Sequence, residues 1–350
     1  MKVQSLHITL SALVVAQSTA FTTTTTSKPI TNPVKSSSLF PLPRSHKSHS
    51  QSKQAFPASP SSSSSSLTAS STAISPPDNN SNKSGGGFFS FKTKYGYLNP
   101  FAIYYGVTSI LLGIPWFIAL NICQIVYKLT GYKLDTFRRL PIFFSHLWGT
   151  VLMRLTRSFP TIEGKEILDK FYKENRAAMF VANHNAWMDI PFVGATVGWR
   201  NYKMVSKAEL GKVPILGRSI KVGGHVMVDR TNRRSQLMTL KAGMQWLKDG
   251  IHLITFPEGT RSKTGRLLPF KNGAFKMAHK VGAPVIPISI VHANVVNPPT
   301  WMFPMRPSHG VCKVIVHEPI ESKDITENEL FEKVRESIID GLPEDQKPLD

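Results

Sequence analysis

From Phe101 to Tyr127 the chain carries no charged side chain, a run that a solvent-facing helix does not sustain. At 1.5 Å per residue, a straight helix over this stretch reaches roughly 40 Å, longer than the roughly 30 Å hydrocarbon core of a bilayer. Gly113 and Pro115 lie inside it, at the kind of position where a helix kinks or breaks. The run reads as one tilted span or as two short helices dipping into one leaflet. A buried helix of a soluble domain fits less well. Lys92 and Lys94 precede the run and Lys128 and Lys133 follow it, so flanking charge does not set an orientation.

A second helical period follows. Leu140, Phe144, Leu147, Trp148, Val151 and Leu155 recur at helical spacing, with Arg138, Arg139, Arg154 and Arg157 crowding the ends. The pattern suits a helix lying in a membrane interface with its basic groups toward lipid phosphates, and equally an amphipathic helix facing a core. Residues 96–158 are assigned to membrane-anchoring helices.

Upstream, residues 1–20 read as a secretory signal: Lys2, a short apolar stretch from Ile8 to Ala16, then Ser18 and Ala20 as small residues before a cleavage point. Residues 21–95 are dominated by Ser, Thr and Pro, include the serine run 61–66, and hold one acidic residue, Asp78. Such composition cannot bury enough surface to offset chain entropy, so disorder is expected. The two pieces resemble the bipartite leader of algae whose plastids lie within the secretory system, with Phe21 following the cleavage point. The expected destination is a plastid membrane, with the endoplasmic reticulum membrane as the alternative.

The formal net charge is +20. Residues 1–95 hold nine basic residues against one acidic, a net +8, which leaves +12 for Gly96 onward. A basic body suits an anionic bilayer, a phosphorylated substrate or nucleic acid. No nucleic-acid motif accompanies the charge, and no nucleic-acid partner is expected. The two cysteines, Cys123 and Cys312, are far apart in sequence and read as free buried thiols rather than a disulfide or metal site. No metal is expected.

Residues 159–350 interleave strand-like and helix-like segments. Strands are expected over 178–182, 202–205, 225–228, 252–256, 285–291 and 312–317, and helices over 189–197, 234–248, 273–281 and 327–341. That alternation argues for an α/β sandwich. Nucleotide-binding glycine loops are absent, and so is a G-x-S-x-G nucleophile elbow.

Two segments carry chemistry. In Asn183-His184-Asn185-Ala186-Trp187-Met188-Asp189, a histidine just after an apolar strand can accept a proton, and a nearby carboxylate can hold its tautomer. Positions five apart on an ideal helix point about 140° apart, so the pair needs a turn between them. In Phe256-Pro257-Glu258-Gly259-Thr260-Arg261-Ser262, a glycine permits a tight backbone and an arginine offers a planar fork suited to phosphate. Either segment alone is weak: Asp189 as a plain helix cap, or Arg261 as a solvated side chain, would be the ordinary reading.

Together they resemble the glycerolipid acyltransferase family that includes the 1-acylglycerol-3-phosphate acyltransferases. The N-H-x-x-x-x-D block is 183–189, and Gly223 to Arg230 resembles the glycine, apolar run and Asp-Arg of the second block. F-P-E-G-T-R-S is complete at 256–262, and Ala283 to Ile288 gives the paired-proline strand. Lys207 with Leu210, Pro214 and Gly217 matches the lysine, leucine, proline and glycine pattern between the first two blocks. Pro269 to Phe275 extends the third block in the manner of the lysophosphatidic-acid branch. Ala186 departs from the family, which often carries Ser there.

The resemblance implies a mixed β-sheet flanked by helices behind an anchoring helical segment. It implies an enzyme that moves an acyl group from an acyl thioester to the sn-2 hydroxyl of 1-acyl-sn-glycerol 3-phosphate, giving phosphatidic acid. His184 would be the base and Asp189 its support. Lys207 and Arg261 would grip the phosphate, Glu258, Gly259 and Thr260 would shape the acceptor pocket, and Arg230 would touch phosphate or serve structure. The sequence does not identify the oxyanion donors; backbone N–H groups after His184 are a guess. No cofactor is implied beyond acyl-CoA or acyl-acyl carrier protein as co-substrate. The expected partners are membrane lipids, lysophosphatidic acid and that acyl carrier. Glycerol 3-phosphate or another lysophospholipid is the alternative acceptor, and a catalytically silent lipid-binding module is the alternative outside enzymology.

Overall fold

The uncharged run forms a single helix, α1 (Pro100–Thr130), which continues through Pro115. Asn99 caps it by accepting the Ala102 N–H at 2.7 Å, Pro100 occupies the first turn, and Gly131 ends it in a left-handed conformation. Its 31 residues span about 46 Å, so the pair of short helices is not what forms. In this computed structural model the described residues are 91–93, 96–213, 215–299 and 301–349. The signal segment, nearly all of the leader, and Pro214 lie outside them. The leader's expected disorder does not extend to its end: β1 (Phe91–Thr93) pairs antiparallel with β2 (Gly96–Leu98).

One face of α1 is buried through Ala102, Tyr105, Gly106, Leu120, Cys123 and Tyr127. The other leaves Val107, Leu111, Ile114, Ile118, Ile122 and Ile125 exposed. Among the described residues this is the helix long and apolar enough to cross a membrane. Helix α2 (Arg139–Leu155) packs beside it, with the Trp116 and Trp148 rings stacked at 4.5 Å. Its buried face is Ile142, His146, Gly149, Leu152 and Met153, while Leu140, Phe143, Leu147 and Leu155 stay exposed. The core-facing stripe is therefore rotated from the one the apolar spacing picks out, because α2 is apolar on both sides.

The loop between α1 and α2 is held from inside. Asp135 accepts the Tyr127 hydroxyl at 2.6 Å and the N–H groups of Arg139 and Leu140, satisfying orphan donors at the start of α2. The fully buried ammonium of Lys203 donates to the carbonyls of Phe137, at 2.8 Å, and Arg138. It also reaches the Asn201 side chain. A buried cation is tolerated only with such acceptors around it.

The sheet has seven strands in the order β3-β9-β8-β4-β7-β5-β6. These are β3 (Thr161–Glu163), β4 (Met179–Ala182), β5 (Tyr202–Lys207), β6 (Val226–Val228), β7 (His252–Thr255), β8 (Val285–Val291) and β9 (Lys313–Val316). Every pairing is parallel except β8 with β9. The sheet is thus mixed, as expected, and its short edge strand β3 shows no run long enough to be read in advance. β4 lies at the centre and is buried on both faces, which is why its sequence is a continuous apolar run. Phe180 and Ala182 enter one apolar cluster, and Met179 and Val181 the other, following the period of two.

The first cluster is closed by α2 and by α4 (Asp189–Val197) through Phe192 and Val193. The second is closed by α7 (Gly273–Val281) through Phe275 and Met277, and by α9 (Glu327–Asp340) through Leu330, Val334 and Ile338. A capping box at Thr326 and Glu329 starts α9. The remaining helices are α3 (Lys165–Lys173), α5 (Leu216–Val222), α6 (Arg233–Lys248) and α8 (Ala293–Val296), with a 3₁₀ turn at Ala208–Lys212. All described residues belong to one compact unit. The carboxyl ends of the parallel strands β4, β5, β6 and β7 share one edge, the crevice at which α/β sheets place ligands.

Candidate active site

His184 leaves the end of β4, and Asp189 opens α4. The intervening turn folds the two together: His184 Nδ1 lies 2.8 Å from Asp189 Oδ2. That oxygen also accepts the N–H groups of Asn185, at 2.5 Å, and Ala186, at 2.7 Å. A carboxylate accepts only, so Nδ1 bears the hydrogen and Nε2 is left with its lone pair. The Asp189 side chain is fully buried, and the His184 ring keeps 15% of its surface exposed. Phe256 stacks on the imidazole at 4.3 Å between centroids. Asn183 fixes the turn from below by exchanging two hydrogen bonds with the backbone of Ile290 on β8.

The third block lies directly against this turn. Ser262 N–H donates to the His184 carbonyl at 2.8 Å. The Arg261 guanidinium sits over the Trp187 ring at 4.6 Å, a stacking that a planar delocalised cation favours. Glu258 lies beneath the two segments. It is 3% exposed, and its oxygens accept the N–H groups of His184, at 2.6 Å, and Leu268, at 3.0 Å. It joins the histidine turn to the loop before α7. Burial pushes its carboxyl up to about 8, with the two N–H donors opposing and Asp189 adding to the rise.

The backbone N–H groups after His184 are engaged within the turn and by a neighbouring side chain. The N–H groups of Asn185 and Ala186 are taken by Asp189, and that of Trp187 donates to the Asn297 side chain at 3.1 Å.

Gly259 turns with φ at 73°. A Cβ there would come within 3.1 Å of Lys271 Nζ and 3.4 Å of Arg230 Cζ, so two cations converge on this backbone. Thr260 beside it is exposed. Arg230 follows β6, where Asp229 accepts from both the backbone and the hydroxyl of Thr231 and Asn232 caps α6. The acid of the Asp-Arg pair is thus spent on the turn. Lys207 ends β5, with its ammonium 3.3 Å from Glu209. The structure brings His184, Asp189, Glu258, Gly259 and Arg261 into direct contact networks, and Arg230 joins them at Gly259. Lys207 stands at the neighbouring strand end, held by Glu209 rather than by the others. Sequence reasoning did not single out Lys271, Phe256, Asn183 or Asn297 as site residues; the Lys271–Phe275 extension of the third block was the available signal for the first.

Beside α4 lies an apolar cavity of about 140 Å³, lined among others by Trp148, Met153, Ile190, Pro191, Gly194 and Tyr202. It lies between α2 and the sheet.

Comparison with known proteins gives the family. A family model described as Acyltransferase matches residues 160–291. A chloroplastic 1-acyl-sn-glycerol-3-phosphate acyltransferase of Brassica napus is 34% identical over 225 residues, covering 62% of this chain and 63% of that protein. One of Arabidopsis thaliana, also named chloroplastic, is 34% identical over 203 residues, 57% of this chain and 55% of that protein. A 1-acyl-sn-glycerol-3-phosphate acyltransferase of Chlamydomonas reinhardtii is 31% identical over 245 residues, 69% of each. The chain thus spans somewhat under two thirds of the first two relatives' length.

Proposed function

We infer the activity from one premise: this chain belongs to the acyltransferase family of the 1-acyl-sn-glycerol-3-phosphate acyltransferases. On this reading it transfers a fatty acyl group from an acyl thioester to the sn-2 hydroxyl of 1-acyl-sn-glycerol 3-phosphate. The products are phosphatidic acid and a free thiol. The observation that carries the reading is the His184–Asp189 pair at 2.8 Å, joined through Ser262 to a block whose arginine can hold phosphate.

His184 Nε2 takes the proton of the acceptor hydroxyl as its oxygen attacks the thioester carbonyl. Asp189, fixed by two backbone donors, stabilises the imidazolium. Collapse of the tetrahedral adduct breaks the carbon–sulfur bond, and the departing thiolate takes the proton back from Nε2. A thioester is already activated, so the protein needs to supply a base and positioning and no nucleophile of its own. Arg261, Arg230 and Lys207 bind the acceptor phosphate, which is remote from the reacting hydroxyl and so orients it. Gly259 and Thr260 allow the close approach. The cavity beside α4 takes the apolar end of an acyl chain.

The exposed stripe of α1 supports work at a membrane, with residues 96–158 as anchor and 159–350 as the catalytic part. The relatives named chloroplastic support a plastid membrane. Coenzyme A and acyl carrier protein both supply the required thioester. The test is a matrix of acceptors and donors on purified protein, reading phosphatidic acid. Turnover of lysophosphatidic acid that disappears in His184→Ala is the expected result. Turnover of glycerol 3-phosphate alone would overturn the acceptor.

A further inference from the structure

On the side of α1 turned toward α5, a groove of about 430 Å³ is lined by Phe117, Gln124, Val213, Ile215, Arg218 and Lys221. It shares no lining residue with the cavity beside α4. Its lining is mostly apolar, yet it contains two cations. Arg218 places its guanidinium over the Phe117 ring at 5.9 Å and hydrogen-bonds the neutral Gln124 side chain. Among the described residues, neither Arg218 nor Lys221 has a carboxylate within ion-pair distance. Two uncompensated positive charges at the edge of an apolar groove form a receptor for an amphiphile with an anionic head.

The walls say which amphiphile. One wall is α1, whose neighbouring positions Ile114, Ile118, Ile122 and Ile125 form the exposed apolar stripe. A ligand here has its head at the two cations and its tail against the helix that faces hydrocarbon. The opposite wall includes Ile215 at φ 61°, a conformation that a β-branched residue rarely adopts and that marks strained backbone at binding sites. The chain behind it leads back through the 3₁₀ turn Ala208–Lys212 to Lys207. On the same path, a Cβ at Gly211 would come within 3.5 Å of Lys221 Cε. Lys221 of the groove thus lies close to the 3₁₀ turn that follows Lys207.

We propose that this groove binds a phosphomonoester glycerolipid drawn laterally from the bilayer, its phosphate between Arg218 and Lys221 and its acyl chain along Phe117 and Val213. The proposal rests on the reading that the chain works at a membrane. Its test measures labelling rather than turnover, so the groove and the acyltransferase reading can fail separately.

The full chain is reconstituted in phosphatidylcholine nanodiscs carrying photoactivatable lysophosphatidic acid, phosphatidic acid or phosphatidylcholine, and labelled peptides are mapped. The expected result is labelling within 117–124 or 213–221 by either phosphomonoester probe, at least fivefold above the phosphatidylcholine probe. Arg218→Ala with Lys221→Ala abolishes that excess, while Arg218→Lys, which keeps the charge and guards against misfolding, retains most of it. The lyso and diacyl probes separate acceptor from product as the source. Equal labelling by phosphatidylcholine, or labelling that persists in the double variant, overturns the proposal.

Discussion

Glu258 Oε1 accepts the backbone N–H of His184 at 2.6 Å, while its other oxygen accepts that of Leu268 at 3.0 Å. The glutamate of one sequence block is thus the floor beneath the histidine of another, across 74 positions of chain. The two blocks meet as halves of one built turn.

Glu258→Gln tests this directly. An amide offers one acceptor and one donor, so either His184 or Leu268 would point its N–H at an NH₂ group. The expected cost is about 1–3 kcal/mol of stability. A fall in kcat on the order of tenfold or more accompanies it as the turn loosens. Thermal melting and steady-state rates check both; a variant with unchanged kcat would detach Glu258 from the turn.

His184→Ala removes the base, and a loss of roughly 10²–10⁴ in kcat is expected from general-base catalysis. Asp189→Asn keeps an oxygen for the three donors that converge on Oδ2 but removes the charge that supports the imidazolium. It should leave melting nearly unchanged and still lower kcat by a similar order. Full activity in Asp189→Asn would show that the imidazole needs no carboxylate.

Lys271 and Arg230 approach the same backbone at Gly259. Lys271→Ala is expected to raise the KM for lysophosphatidic acid on the order of tenfold, the loss of about one charge-assisted contact of 1–2 kcal/mol. The kcat should change little. Rates measured across acceptor concentration decide it, and a kcat loss at unchanged KM would move Lys271 out of phosphate binding.

Acid stability reports two histidines, His225 half-buried and His252 buried. His225 Nδ1 accepts the Met204 N–H at 2.8 Å, and His252 Nδ1 accepts the Ala178 N–H at 3.1 Å. Burial, with Lys203 nearby, pushes His225 down to about 3; burial and the Arg200 charge push His252 down to about 4. Both start from 6.5, so the unfolded chain binds protons that the folded one refuses. Stability is complete above about pH 6.5 and is lost as pH falls toward 4 and then 3, at about 1 kcal/mol per histidine by pH 5.5. Melting temperature followed from pH 8 to 5 should fall below 6.5. His252→Asn, which offers an oxygen in place of Nδ1, should remove part of that fall. A flat profile in the parent protein would show both rings protonating without cost.

The long elements and the chemical blocks were legible because their signals are local. Helix 189–197 and helix 273–281 match the expected bounds, and strand 285–291 does as well, since an apolar run set off by turn residues needs no tertiary information. β3 and α8, of three and four residues, were not legible, because their order comes from what they pack against. The site shows the same division. His184 and Asp189 could be read as a pair at one turn. That Glu258 reaches under that turn, and that the N–H groups following His184 are already engaged, depends on which loops the sheet order brings together. Nothing within 183–189 encodes the carboxylate that holds it from below. Pro115 left one tilted span and two short helices both open, and the single helix that forms continues through it.

The ammonium of Lys203 lies under the loop that joins α1 and α2 and holds its carbonyls from within the sheet. The hairpin is consequently not a tether on which the sheet swings. On the membrane reading proposed above, α1 and the reaction centre belong to one compact unit, so the depth at which α1 settles in a bilayer also fixes the height of His184 above it. A change that lifts or sinks the rod by one helical turn would therefore present the base at the wrong level for a hydroxyl anchored among the headgroups.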